Sequence, residues 1–179
     1  GLGCATGVNG RIDNALDRDG KSVPCLYVPD TTLTNLHNVQ TSPLKVGYTM
    51  LAGRTYMMSA EVYADNASGF SGLIINSQFS IAGSWYHAAF NLITGEEKGS
   101  TSDYSGIEDL GGGWYKIWMR VVAIADNETL APIQFKAALD DNTAQSPTAF
   151  SGDNIGGIRI TKVMVLECAP EATRPCEYV

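Results

Sequence analysis

A glycine-rich turn followed by an alternating segment, residues 107–122, constrains the fold of this chain more than any other stretch. Within this stretch, the three glycines at 111–113 are followed by the aromatic pair at 114–115. From Tyr115 onward, two sets of residues alternate. Large apolar side chains form the first set: Tyr115, Ile117, Met119 and Val121. Because successive residues of a strand point to opposite faces, this pattern predicts a β-strand with one face in a core. The opposite face of the sheet then carries Lys116, Trp118 and Arg120.

Other β-branched and aromatic segments, separated by Gly and short turn clusters, predict further strands. The candidate strands are 54–64, 73–76, 85–92, 115–125, 133–139 and 158–166. No segment carries a convincing helical period over a window of about 11 residues. Many short strands with turn signals between them predict an all-β fold, an antiparallel sandwich or a barrel.

The length of 179 residues fits a single domain, which can bury roughly 70% of the surface of its unfolded chain. Residues 1–43 are the least regular part and contain three prolines, at 24, 29 and 43. We interpret them as a first strand or two with loops that wrap the sandwich. Residues 44–179 are then the core of the domain.

Composition excludes several functions. A net charge of −7 without a basic block argues against nucleic acid as a partner. No apolar run approaches the roughly 20 residues that span a bilayer, so membrane insertion is not expected. The G-x-S-x-G, H-E-x-x-H and P-loop motifs are missing from the sequence. Adjacent acidic residues on a strand point to opposite faces and cannot flank one glycosidic bond. We therefore expect no catalytic residues.

The four cysteines lie near the two ends of the chain, Cys4 and Cys25 at one end and Cys168 and Cys176 at the other. Two local disulfides are one interpretation, and buried thiols that behave as small hydrophobes are the alternative. Zinc is disfavoured, because neither pair has C-x-x-C spacing. We expect no cofactor, although the acidic run at residues 13–20 leaves a structural calcium ion as an alternative to solvated turns.

Trp118 is the sharpest candidate for ligand contact. An indole offers a flat face to the C–H face of a sugar ring, and Lys116 and Arg120 beside it can grip a carboxylate or sulfate. If strand 54–64 is the neighbour, Glu61 and Tyr63 join the same surface. The alternative is that the N-terminal segment or another subunit covers Trp118.

A second candidate surface follows the loop 80–84, where Trp85 and Tyr86 stand at a strand end. Aromatic residues beside a loop at a sandwich edge suit ligand contact, although one of two adjacent rings more commonly faces the core. Trp114, directly after the glycines, is interpreted as structural.

Six ordered segments together resemble a recurrent module of bacteriophage appendage proteins. The matching segments are 52–64, 90–95, 107–116, 150–160, 165–167 and 172–178. The chain is similar to the jelly-roll domains of phage tail fibres and spikes, which are related in architecture to carbohydrate-binding modules. The resemblance implies a two-sheet jelly roll, display on a virion surface or in the extracellular space, and a role in gripping host glycans. It implies no catalytic residues.

The preferred hypothesis is a non-catalytic module that binds a glycan or polysaccharide beside other virion proteins. One rival is a structural virion component, a capsid decoration or fibre subunit acting as a homo-oligomer. Another is an accessory carbohydrate-binding module of a polysaccharide-degrading enzyme.

Overall fold

The computed structural model describes residues 4–5, 11–29, 38–41, 51–65, 72–77, 86–102, 104–123, 133–138 and 156–175. Twelve β-strands account for most of them. Their bounds are β1 Cys4–Ala5, β2 Arg11–Leu16, β3 Ser22–Pro29, β4 Asn38–Thr41, β5 Thr55–Asp65, β6 Gly72–Ser77, β7 Tyr86–Asn91, β8 Glu96–Ser100, β9 Tyr104–Gly111, β10 Trp114–Val122, β11 Ile133–Ala138 and β12 Gly157–Glu167. In this described part of the chain, no helix is long and apolar enough to cross a bilayer.

The strands form two six-stranded sheets. The first sheet has the order β1-β4-β11-β6-β7-β8, and the second has the order β2-β3-β12-β5-β10-β9. Neighbouring strands pair antiparallel in both sheets. The predicted fold class is therefore confirmed: the chain is an all-β, antiparallel two-sheet β-sandwich of jelly-roll type.

The core lies between the sheets and uses alternate residues of each strand. The second sheet contributes Tyr115, Ile117, Met119 and Val121, all four of which belong to the core cluster as the alternation predicts. Phe90 and Phe135 face them from the first sheet. Both phenyl rings are 1% exposed. Burial of these large apolar side chains is the main stabilising contribution of the sandwich.

The six candidate strands all appear, with ends shifted by at most three residues. Two strands, β8 and β9, escape prediction because their exposed polar residues give no alternating apolar pattern. Each forms an edge of its sheet. Charged and polar residues at an edge discourage pairing with other chains, so an edge strand lacks the signal that identifies a buried one.

The interpretation of residues 1–43 as one or two strands with wrapping loops is wrong in its strand count. This region supplies four strands, two in each sheet. Pro24 and Pro29 obscure β3, and the pairing explains why Pro24 is tolerated. β12 pairs with β3 only over Leu26–Pro29, so Pro24 has a neighbouring strand on one side alone.

The turn between β9 and β10 explains the glycine run of the sequence. Gly111, Gly112 and Gly113 have φ angles of 84°, 62° and 83°. Residues with a Cβ adopt this left-handed region at a cost, and three in succession demand glycine. The turn sets the register of β10 against β9, where Trp118 lies opposite Gly106. On its other side β10 pairs with β5, where Trp114 lies opposite Tyr63 and Trp118 opposite Ser59.

Candidate functional site

The outer face of the second sheet carries a row of large side chains that crosses four strands at one register. Tyr27 on β3 pairs with Arg159 on β12, Arg159 pairs with Tyr63 on β5, and Tyr63 pairs with Trp114 on β10. Directly paired residues of antiparallel strands lie on the same face about 5 Å apart. Three aromatic rings and one guanidinium group therefore stand side by side on this face.

The members of this row contact one another in sequence. The rings of Trp114 and Tyr63 have centroids 5.3 Å apart, and the guanidinium carbon of Arg159 lies 5.8 Å from the centroid of Tyr63. Nε of Arg159 lies 2.8 Å from Oδ2 of Asp65, at the end of β5. Trp114 is only 7% exposed, so it backs Tyr63 rather than meeting solvent. Together these contacts hold the Arg159 guanidinium in one place.

Tyr27 leans along the sheet instead of standing up from it. A Cβ built at Gly157, on the neighbouring strand, would lie 2.7 Å from Cζ and from Oη of Tyr27. Real Cβ atoms are never so close, and the absence of a side chain at Gly157 is what lets the ring lie over the backbone. The ring of Tyr27 is half-buried.

A cleft of about 410 Å³ opens beside Tyr27. The described residues that line it are Asn14, Ala15, Leu16, Cys25, Tyr27, Asp65 and Arg159. Its volume lies within the range of small-molecule sites, and its wall combines an aromatic ring, an amide and a paired carboxylate and guanidinium. Leu16 is 58% exposed, an apolar side chain at the rim. This cleft is the candidate functional site.

Asp65 is the titratable group of the cleft whose acidity is perturbed. Burial raises the pKa of its carboxyl above the ordinary value of 3.8, and Arg159 opposes that rise through its charge and its hydrogen bond. Burial outweighs the ion pair because removing a carboxylate from water disfavours its charged form. A second negative charge beside Asp65 would disfavour the charged form of its carboxyl further.

The next row toward the middle of the same face is a charged cluster around Glu61. This side chain is 8% exposed, and Lys162 reaches it with Nζ 3.2 Å from Oε1 and 3.0 Å from Oε2. Oε2 has no well-aligned hydrogen bond despite the short distance. Arg18, in the β2–β3 turn, lies 3.9 Å from the same oxygen. The predicted neighbourhood of Glu61 and Lys116 is correct, but Glu61 is occupied by these cations.

Lys162 reaches Glu61 because β12 is irregular there. The pairing of β12 with β5 shifts register between Thr161 and Met164, and Lys162 has a φ of 48°. A non-glycine residue with this φ is strained by about 1–3 kcal/mol. The bulge turns the lysine side chain across the outer face, where the ion pair with Glu61 offsets part of that strain.

The expectation of an exposed Trp118 is wrong. The indole lies on the outer face of the second sheet, as the alternation predicts, but it is only 4% exposed. Its Nε1 donates a hydrogen bond to the carbonyl oxygen of Thr173 at 3.1 Å. Residues 168–175, which we name the C-terminal strap, cover the ring. The predicted alternative of a covering segment therefore describes the structure, although the cover comes from the C-terminal end.

Trp118 also lies against the edge strand. A Cβ at Gly106, its partner on β9, would lie 2.7 Å from Cε2 of the indole. Arg120 is held in the same region: its Nη1 donates to the carbonyl oxygen of Ala172 at 3.0 Å, and its guanidinium lies 5.6 Å from the ring of Tyr104. Neither Trp118 nor Arg120 presents the open aromatic and cationic surface that the sequence suggests.

The remaining predicted ligand contacts lie apart from the cleft. Lys116 is half-buried at a register between Glu61 and Glu108. Tyr86 is half-buried and packs against the core. Tyr63 contributes by holding Arg159 rather than by lining the cleft. Trp85 lies outside the described residues.

The structure describes only some of the residues on which the metal and cysteine predictions rest. Among the described residues, no group of three or more His, Cys, Asp or Glu could hold a metal ion. Oδ1 of Asp17 accepts hydrogen bonds from the backbone N–H groups of Asp19 and Lys21, which closes the β2–β3 turn. Cys25 is buried beside the cleft and Cys168 begins the strap. The side chain of Cys4 and all of Cys176 lie outside the described residues, so the pairing stays a prediction.

Sequence reasoning missed Tyr27, Asp65 and Arg159 as site residues, although a signal existed for two of them. Tyr27 lies between Leu26 and Val28, and Arg159 lies between Ile158 and Ile160. Each is the outward residue of an alternating strand. Nothing in the sequence shows that β3 and β12 are neighbours, and only that pairing brings the two side chains together.

Comparison with known proteins yields likeness to solved structures at low sequence identity. No protein-family model matches the chain, and no curated protein matches it. The fold is similar to that of the N-terminal CBM22-1–GH10 modules of endo-1,4-beta-D-xylanase 10B from Clostridium thermocellum, solved in complex with xylohexaose. The TM-score is 0.47 at 12% sequence identity, and the match covers 92% of this chain and 26% of that one.

Proposed function

We propose that this domain is a non-catalytic module that binds a glycan in the cleft beside Tyr27. The observation that carries the proposal is the combination of a leaning aromatic ring with the paired side chains of Asp65 and Arg159. An aromatic face stacks on the apolar C–H face of a sugar ring. A carboxylate accepts hydrogen bonds and a guanidinium donates them, so neighbouring sugar hydroxyls find a partner of each kind.

The rigidity of the site supports binding. Trp114 backs Tyr63, Tyr63 stacks on Arg159, and Asp65 holds Nε of that arginine. A guanidinium that is already positioned loses less conformational freedom when a ligand arrives. Tyr63 and Trp114 are therefore positioning residues, whereas Tyr27, Asp65 and Arg159 contact the ligand.

A Tyr27→Leu variant tests the proposal. Leucine keeps apolar contact with the strand but removes the aromatic face, and we expect glycan affinity to fall about tenfold. The matched control is Tyr104→Leu, because that tyrosine is 40% exposed on the same sheet but lies outside the cleft. Both variants are compared with the unmodified protein on a glycan array and by isothermal titration calorimetry.

Equal affinities of the two variants for every bound glycan would refute the cleft as the site. If the unmodified protein binds no member of a broad array of plant, bacterial and host glycans, the proposed function fails altogether. Circular dichroism melting of each variant separates a loss of binding from a loss of folding.

The setting of this activity is a further part of the proposal, and the resemblance of the sequence to phage appendage modules supports it. We place the domain on a virion surface or in the extracellular space, next to other virion proteins. Antibodies against the domain should then label intact particles that carry it. Labelling only after disruption of the particles would contradict this placement.

A further inference from the structure

We infer that the cleft selects neutral glycans over acidic ones, an inference that rests on the proposed function. Asp65 and Arg159 are the only charged side chains among the described residues that line the cleft. Their charges cancel across a distance of 2.8 Å. The described wall of the cleft therefore offers hydrogen-bonding groups of both kinds and carries no net charge that would attract a carboxylate or sulfate.

The ion pair would have to open for an acidic sugar to bind. A ligand carboxylate that reached the Arg159 guanidinium would compete with Asp65 for the same donor and would lie beside its negative charge. Two carboxylates that share one site repel, and the cost falls on the protonation state of one of them. Sugar hydroxyls meet no such repulsion, because a hydroxyl both donates and accepts.

Burial strengthens this discrimination. The side chain of Asp65 is 21% exposed and that of Arg159 is 33% exposed. Water is therefore partly excluded from the pair and screens it less than it would a fully exposed pair. Asp65 is already disfavoured in its charged form by burial, which raises its pKa. The repulsion from a ligand carboxylate would add to the desolvation cost of the Asp65 carboxylate, which is present before any ligand binds.

Two described cations in the adjacent row of this face have a carboxylate partner of their own. Lys162 and Arg18, the described cations in the adjacent row, face the buried Glu61. Arg11 and Asp13, one residue of each sign, occupy β2 positions that pair with Tyr27 and Cys25. The whole chain has a net charge of −7, which repels a polyanion before it reaches the surface.

The decisive variant is Asp65→Asn, which removes the negative charge and keeps an oxygen acceptor of similar shape. The cleft then carries the single positive charge of Arg159. We expect affinity for uronic-acid oligosaccharides to rise about tenfold, because the repelling charge is gone and the arginine is released. Affinity for neutral oligosaccharides should fall, because an amide oxygen accepts a hydrogen bond from a sugar hydroxyl less strongly than the carboxylate does. The matched control is Glu171→Gln, an equal change of charge on the exposed outer side of the C-terminal strap.

The measurement is calorimetric titration of the unmodified protein and both variants with a panel of neutral hexasaccharides and a matched panel of uronic-acid hexasaccharides.

Binding of neutral sugars that is insensitive to salt, with a gain of acidic binding in Asp65→Asn alone, supports the inference. Stronger binding of acidic than neutral sugars by the unmodified protein, weakened by salt, overturns it and leaves the proposed function intact. An equal gain in Glu171→Gln also overturns it, because the selectivity would then come from overall charge. Absence of binding to both panels defeats the proposed function itself.

Discussion

Two arginines on one face of the second sheet show how the same local pattern serves different purposes. Arg120 and Arg159 are both outward residues of alternating strands, and each guanidinium lies against a tyrosine ring, at 5.6 and 5.8 Å. Arg120 donates a hydrogen bond to the carbonyl oxygen of Ala172 in the C-terminal strap. Arg159 is paired with Asp65 in the wall of a cleft.

The comparison extends to the aromatic residues. Trp118 and Tyr27 each lie over a strand-borne glycine, Gly106 and Gly157 respectively. The strap covers the indole, whereas the phenol ring of Tyr27 borders the cleft. An outward aromatic residue is therefore not by itself evidence of a ligand. What decides its role is whether another segment of the same chain has already taken the surface.

The largest effect that would test this contrast is expected for Trp118→Ala. Truncating a buried indole should lower the free energy of unfolding by about 3 kcal/mol, because apolar contacts with β9 and the strap are lost. Affinity for glycans, measured per folded molecule, should not change. Urea denaturation followed by circular dichroism provides the stability, and Trp118→Phe, which loses the bond to Thr173 but keeps a ring, should cost about 1 kcal/mol. Weaker glycan binding with unchanged stability would contradict this, because Trp118 would then serve binding and not the packing of the strap.

A direct comparison of the two arginines sharpens the contrast. Arg120→Leu should lower the free energy of unfolding by about 1–2 kcal/mol, because the part-buried hydrogen bond to the carbonyl oxygen of Ala172 is lost. Arg159→Leu should cost about 0.5 kcal/mol or less, because its ion pair is partly exposed, but it should abolish most glycan affinity. Parallel urea denaturation and calorimetric titration check both variants. If Arg159→Leu is the more destabilising of the two, the cleft is held together for structural reasons instead.

Glu61 lies between the row of Trp118 and the row of Tyr63 on the outer face, and its substitution should have an intermediate effect on stability. Glu61→Gln leaves Lys162, at a strained backbone position, with only its longer contact to Asp19, at 3.9 Å, and we expect a loss of about 1 kcal/mol. A double-mutant cycle with Lys162→Met isolates the pair, because the lysine is itself 39% exposed and contributes packing as well as charge. A coupling energy indistinguishable from zero would mean that the bulge, and not the ion pair, sets this part of the face.

The smallest effect concerns the dependence of stability on pH. Burial raises the pKa of Asp65 in the folded protein, so the folded state holds this proton more tightly than the unfolded state does. The resulting contribution to stability is complete below the ordinary pKa of 3.8 and is lost as pH rises through the raised value. The difference in unfolding free energy between the unmodified protein and Asp65→Asn should therefore decline over that interval. Urea midpoints at a series of pH values test this, and a difference that grows with pH would contradict the direction.

The fold was largely accessible from the sequence, whereas the site was not. Six strands followed from alternation or from β-branched and aromatic runs between turn signals, because both are local properties of a strand. β8 and β9 gave no such signal, since both are polar edges of their sheets. On the outer face of the second sheet, the predicted outward orientation of Trp118 was correct and its predicted exposure was wrong, because its indole donates a hydrogen bond to Thr173, 55 positions further along the chain.

The sequence by itself determined the strand periods, the core residues of β5 and β10, and the turn that three glycines require. It could do so because each depends on a residue and its near neighbours in the chain. Only the tertiary structure decided that β3 lies beside β12 and that the strap lies on β10. Those placements join Tyr27 to Arg159 and hide Trp118. They depend on the packing of segments distant in sequence, where the free energy comes from the whole sandwich rather than from any local pattern.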